Sequence, residues 1–243
     1  MKTLAASLSI LTKQGVMLYL LRGVAFTCII SVLGVIMGLI VGSLLALART
    51  YCKKGPSRIL GWFATAYIEL FRNTPLMLWM FVCFVMCPAP AVSKSFAEML
   101  GMSSTVAVKT LFKAIAALTL FTSAIMAEII RGGLNSVAKG QFEAAYSQGF
   151  GMMQTMTLIV LPQALRTAVP ALSNSLIGMI KDTSLASNIT VAELFMAGQR
   201  VAARTYIFLP IYCEVAVVYL LFCTVITKLQ ALLERRLNAH GFQ

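Results

Sequence analysis

The amino-acid sequence predicts an all-α polytopic membrane protein with about five transmembrane helices. Three observations carry that prediction. Only 12% of the 243 residues are charged and 59% are hydrophobic, with a mean hydropathy of +0.87, whereas soluble domains carry about 25% charged residues. Three runs hold no charge at all: Gly23–Ala48, Asn73–Ser93 and Ala144–Leu165. A row of about 20 mainly apolar residues crosses the hydrocarbon layer as a helix, because lipid offers no partner to open backbone groups. The chain also lacks the short segments of alternating polarity that a transmembrane barrel requires.

The spans fall at roughly 20–48, 59–87, 111–132, 157–180 and 207–230. The first holds Gly34, Gly38 and Gly42, a four-residue spacing that permits close helix approach, either within the subunit or with a second one. The second contains Asn73-Thr74-Pro75. Proline removes a backbone donor and clashes with the carbonyl four residues back, so the span is predicted to be interrupted there by a kink. The third is charge-free only over Ala114–Ala127, and the fifth contains Glu214, for which a basic partner on another helix is expected. Residues 1–19 form an N-terminal segment whose apolar run is broken by Lys13 and Gln14, so no cleaved signal is expected. Arg49, Lys53, Lys54 and Arg58 crowd one short connector, the mark of a cytoplasmic loop. That orientation puts 1–19 in the periplasm and makes the loop 133–156 and the tail 233–243 cytoplasmic, with Lys228, Arg235 and Arg236 near the end of the chain. Lys2, Lys13, Lys94, Arg200 and Arg204 fall on the outer side, so the bias is modest.

Several function classes drop out. The net charge of +12 comes from 20 basic residues scattered singly, not gathered with aromatics into a nucleic-acid-binding patch. Cys28, Cys83, Cys213 and Cys223 lie in apolar spans as small hydrophobes. Cys52 belongs to the inside loop and should stay reduced, while Cys87 near the outer surface has no obvious partner. No Cys and His spacing suggests a metal, and the single histidine, His240, lies in the tail. With no histidine in a span and no H-E-x-x-H or G-x-S-x-G, a membrane enzyme would lack its nucleophile and base. A secondary transporter or channel is a closer rival, but no internal repeat supports the paired-half designs common there.

One stretch fits neither a span nor a loose connector: EAAYSQGFGMMQTMTLIVLP, from Glu143 to Pro162. Alanine favours a helix start, Gly149 and Gly151 offer a turn, and Ile159, Leu161 and Pro162 resume the apolar climb. A short helix across the base of the bundle is predicted, then a turn, then a span. The positions Glu143, Ala144, Ala145, Gly149, Ile159, Leu161 and Pro162 resemble the signature loop of the membrane subunits of binding-protein-dependent ABC importers. Glu69-Leu70-Phe71-Arg72-Asn73-Thr74-Pro75-Leu76, Ala127-Glu128-Ile129-Ile130-Arg131-Gly132-Gly133 and Lys181-Asp182-Thr183-Ser184-Leu185 narrow the likeness to the polar amino acid branch. It runs from about residue 20 to residue 235.

The resemblance implies the type I ABC importer transmembrane fold over 20–232 and a coupling helix that sits in a groove of a cytoplasmic ATPase. It implies a second permease subunit, identical or related, two ATPase subunits, and an extracytoplasmic amino acid-binding protein. No cofactor is expected on this chain, which has no G-x-x-x-x-G-K-S/T loop; ATP and magnesium belong to the partner ATPase. A permease subunit without a nucleotide site of its own, in a bacterial inner membrane, is the expectation. Its substrate reads as an acidic or amide amino acid, with basic amino acids and cystine as alternatives.

Candidate substrate-path residues are Glu69, Arg72, Asn73 and Thr74 at the break in the second span, and Lys181, Asp182, Thr183 and Ser184 at the end of the fourth. A broken helix at mid-depth exposes backbone groups that can hold a polar solute; a packing kink or a plain interfacial helix end are the bland readings. Glu69 with Arg72, and Glu128 with Arg131, share helical faces at a spacing of three. Each pair either cancels locally or lends a charge to a passing solute. For Glu128 and Arg131, near the cytoplasmic exit, structural pairing or a gate is the expectation.

Overall fold

Residue pattern and chain breaks explain where each helix starts and stops. The computed structural model describes residues 14–102 and 104–239, so most of the N-terminal segment 1–19 and the last residues of the tail, with His240, lie outside the described residues. Helix α1 (Gln14–Tyr51) runs for 38 residues without a proline. It stops where Gly55, at φ +63°, and Pro56 turn the chain into a single 3-10 turn, Gly55–Ser57. Helix α2 (Arg58–Arg72) follows at once.

At the interruption expected within 59–87, the structure has two helices, α2 and α3 (Leu76–Met86). The Asn73 N–H donates to the Glu69 carbonyl at 3.1 Å to close α2, and Leu78 N–H donates to the Pro75 carbonyl at 3.1 Å to open α3. Pro75 sits in extended backbone between them, with ψ 137°. A proline ring disfavours helical backbone at the preceding residue, here Thr74, which lies outside both helices.

A short helix α4 (Lys94–Met99) leads to α5 (Thr105–Ser136), which is 32 residues long despite four charges. Packing accommodates them. Lys113 Nζ donates to the Phe84 carbonyl at 2.6 Å and lies 5.3 Å from the Phe84 ring centre, while Glu128 and Arg131 bind each other. Next come α6 (Lys139–Ser147), a short turn at Met152–Gln154, a π-helical turn at Thr155–Val160, and α7 (Leu161–Asp182) with Pro170 inside it. A 3-10 segment, Thr183–Ile189, ends in Thr190 at φ +65°. Helices α8 (Leu194–Thr205) and α9 (Phe208–Ala239) complete the chain. No strand occurs among the described residues. Among the described residues, four helical runs are long and apolar enough to cross a membrane: Gly15–Tyr51, Thr105–Ser136, Met152–Ile189 and Phe208–Leu232, or five with the bent pair Gly55–Arg72 and Leu76–Met86.

The chain forms two compact units. The first comprises Met1–Val35, Pro75–Thr119 and Ile177–Ile226; the second comprises Ile36–Thr74, Leu120–Leu176 and Thr227–Gln243. In the first, α8 buries Leu194, Ala197, Gly198, Val201 and Ala202, the i, i+3, i+4, i+7, i+8 stripe of an amphipathic helix. Leu20 of α1 and Val215 of α9 receive it. In the second unit, glycines bring α1 onto α5. A Cβ at Gly42 would lie 2.8 Å from the Ser123 carbonyl oxygen and 3.0 Å from Met126 Cβ, and one at Gly38 would lie 3.1 Å from Thr122 Cγ2. The glycine ladder therefore serves packing within the chain at these positions.

Candidate functional site

The segment Glu143–Pro162 folds as a capped helix resting on a small apolar core. Helix α6 turns only Phe142 and Ala145 inward, three residues apart; Ala145 is buried, and Phe142 packs against Leu134, Val137, Met156, Val160 and Ala164. Glu143, Ala144 and Tyr146 remain exposed. The helix ends in a Schellman arrangement: Phe150 N–H donates to the Ala145 carbonyl at 3.0 Å, and Gly149 N–H donates to the Tyr146 carbonyl at 3.0 Å. Gly149 holds φ at +84°, a left-handed conformation in which a side chain is strained. Beyond the turn, Ile159 is half-buried, Leu161 packs against the same core, and Pro162 is exposed. Gln163 Nε2 donates to Gln141 Oε1 at 3.2 Å, tying the start of α7 to α6.

Elsewhere in the second unit, five charged side chains form one network instead of two local pairs. Glu128 Oε2 lies 2.7 Å from Arg131 Nη2 and 3.4 Å from Arg72 Nη1. Its Oε1 accepts from Arg49 Nη1 at 2.7 Å. Arg49 Nη2 also reaches Glu69 Oε1 at 2.8 Å, and Asn73 Nδ2 donates to Glu69 Oε2 at 3.1 Å. Glu69 is thus held by Arg49, not by its helical neighbour Arg72. Thr74 Oγ1 is turned back onto the Leu70 carbonyl at 2.6 Å. In this network sequence reasoning misses Arg49, which on the sequence is only a topology signal.

The other four candidates belong to the first unit. Lys181 is exposed, Asp182 and Ser184 are half-buried, and Thr183 is buried with its hydroxyl donating to the Ile180 carbonyl at 2.7 Å. A second group here was not anticipated. Glu193, fully buried, caps the N-terminus of α8 by accepting from Phe195 N–H at 2.9 Å and Met196 N–H at 2.7 Å. Tyr219 donates its hydroxyl to Glu193 Oε2 at 2.9 Å and lies beside Thr27 and Thr183. Thr27 Oγ1 in turn accepts from Leu194 N–H at 3.3 Å. Burial pushes the Glu193 carboxyl above the ordinary carboxylate range, against the opposing pull of its three donors. Glu214 does not find the expected base: it makes no ion pair among the described residues, and its Oε2 is buried without a partner.

Apolar helices long enough to span a membrane, an apolar pair broken at Pro75, a capped surface helix and a partly exposed charge network are the features of a multi-pass membrane protein. The chain belongs to the family of binding-protein-dependent transport system inner membrane components, whose model matches residues 34–239. It is 36% identical over 219 residues to the L-cystine transport system permease protein TcyB of Bacillus subtilis (strain 168), covering 90% of this chain and 86% of that protein. It is 35% identical over 179 residues to the probable glutamine ABC transporter permease protein GlnM of the same organism, covering 74% and 76%. Among solved structures, an amino acid ABC transporter crystallised with histidines superposes with a TM-score of 0.77 at 28% identity, over 94% of this chain and 97% of that one. The chain is accordingly an amino-acid ABC permease subunit with the type I importer transmembrane fold.

Proposed function

We propose that this subunit carries a polar amino acid across a bacterial inner membrane, driven by ATP hydrolysis in a partner, with α6 as the element the partner pushes. The observation that carries this reading is the one-sided anchoring of α6. Phe142 and Ala145 hold it to the core, and Glu143, Ala144 and Tyr146 face outward on a helix whose end is set by Gly149. A short rod gripped along one face can transmit a push to α7 through Leu161 and the Gln141–Gln163 contact. The working assembly is two permease subunits, two ATPases below α6, and an extracytoplasmic binding protein. ATP and magnesium bind the ATPase.

Combining Glu143→Arg with Gly149→Ala tests the coupling. The expected result is loss of ATP-driven uptake in reconstituted vesicles. Undiminished uptake with the ATPase still bound would overturn the assignment.

For the substrate, an acidic or amide amino acid is the favoured reading, supported by the relative named for glutamine. Cystine is the second reading, supported by the relative named for it. Glu69, Arg72, Asn73, Thr74 and Lys181, Asp182, Thr183, Ser184 are the proposed contacts along the path, with Glu128 and Arg131 as a structural or gate pair. Stimulation of the reconstituted ATPase by a panel of amino acids, each with the cognate binding protein, discriminates them. Stimulation by cystine alone would sink the amide reading.

A further inference from the structure

A cavity of about 410 Å³ opens in the second unit where three helices end. Arg49 and Thr50 at the end of α1, Lys53 in the following loop, Arg58 and Trp62 in the first turns of α2, and Arg131 near the end of α5 line it. Four of the lining residues are basic and none is acidic. Arg49 and Arg131 are already engaged by Glu128, but Lys53 and Arg58 make no ion pair among the described residues. The Thr50 hydroxyl is buried without a hydrogen-bond partner. The chemistry of the lining is that of an anion site, with two uncommitted cations and one unpartnered hydroxyl.

Its place in the fold narrows the anion. The ends of spanning helices lie at the depth of lipid headgroups, where tryptophan concentrates and basic pockets between helices hold anionic headgroups. Immediately beside the cavity, Ile59, Trp62 and Phe63 are exposed at 76%, 72% and 58%, an apolar surface suited to acyl chains. A zwitterionic amino acid fits poorly, since its ammonium would meet four cations and no carboxylate in the lining. We propose that this pocket binds the phosphate headgroup of an anionic phospholipid, with Lys53 and Arg58 as its direct ligands. The pocket shares Arg49 and Arg131 with the network around Glu128, but its proposed ligands, Lys53 and Arg58, have no part in the substrate reading.

The test is native mass spectrometry of the full-length chain, with the subunits that copurify, released from bilayers of mixed phosphatidylglycerol and phosphatidylcholine. The wild type is expected to retain phosphatidylglycerol selectively. The Lys53→Gln, Arg58→Gln double variant should lose that retention about thirtyfold, given roughly 1 kcal/mol for each of the two basic residues at a headgroup surface. A charge-preserving Lys53→Arg, Arg58→Lys variant, which separates charge from folding, should keep it. Equal retention of both lipids overturns the proposal. So does an inorganic phosphate adduct without lipid preference, which would identify a small-anion site. Loss of a permease or ATPase subunit from the glutamine variant, with lipid retention intact, would assign the pocket to a protein partner instead.

Discussion

Two carboxylates, one in each unit, are held in opposite ways. Glu128 lies 14% exposed among three guanidinium groups, from Arg49, Arg72 and Arg131. Glu193 is fully buried and meets only neutral donors: two backbone N–H groups and the Tyr219 hydroxyl. A carboxylate among guanidinium groups stays charged and trades partners cheaply, because each partner keeps some contact with water. A carboxyl among neutral donors in a dry setting gains little by ionising, and its burial raises its pKa. The first arrangement leaves the charges exchangeable, and the second makes a fixed corner that pins α8 between α1 and α9.

Removing Glu193 should break the comparison most severely. Glu193→Ala leaves the Phe195 and Met196 N–H groups and the Tyr219 hydroxyl without their acceptor, an expected loss of about 3 kcal/mol, read as a lower thermal midpoint in detergent. The sign of the pH effect follows from the raised pKa. The folded state holds this proton more tightly than the unfolded chain, so the group's contribution is complete below its ordinary value of 4.5 and is lost as pH rises through the raised one. Glu193→Gln, neutral throughout, should therefore lose less stability than the wild type over that rise. An unchanged slope would show that the carboxyl is ionised in the folded protein.

Glu128→Gln should rank next, at about 2 kcal/mol, because it leaves three guanidinium groups facing one another while water still reaches the outer two. Its effect should shrink in high salt, whereas that of Glu193→Ala should not, since screening acts on the exposed charges. A salt-independent loss at Glu128 would erase the distinction drawn here. Glu69→Gln should have the smallest effect. Its side chain is 48% exposed, so the thermal midpoint is expected to stay within experimental scatter of the wild type. A drop as large as that of Glu128→Gln would make Glu69 an equal member of the network.

Local signals were legible before any coordinates. Hydropathy announced the apolar runs, Pro75 announced an interruption, and the spacing of Glu143, Ala144, Ala145 and Gly149 announced a helix and its turn, because each depends on neighbours within a few residues. Glu128 and Arg131 were also legible as a pair, since helical spacing alone brings them together. Arg49 was not, as its partners lie 20 and 79 residues away. Tyr219 finds Glu193 across 26 residues, and no periodicity links them. The charge-free part of the third span covers only Ala114–Ala127, yet the helix continues past Lys113, whose ammonium donates a hydrogen bond to the Phe84 carbonyl.

Composition and periodicity act along the chain, and they suffice to choose helices over strands and a bilayer over water. They assign neither the acceptor of a charge nor the surface against which a glycine is pressed. Those choices were made only when α1 met α5 in one unit and α8 met α1 and α9 in the other, because a buried polar group takes whichever partner the packing brings within about 3 Å.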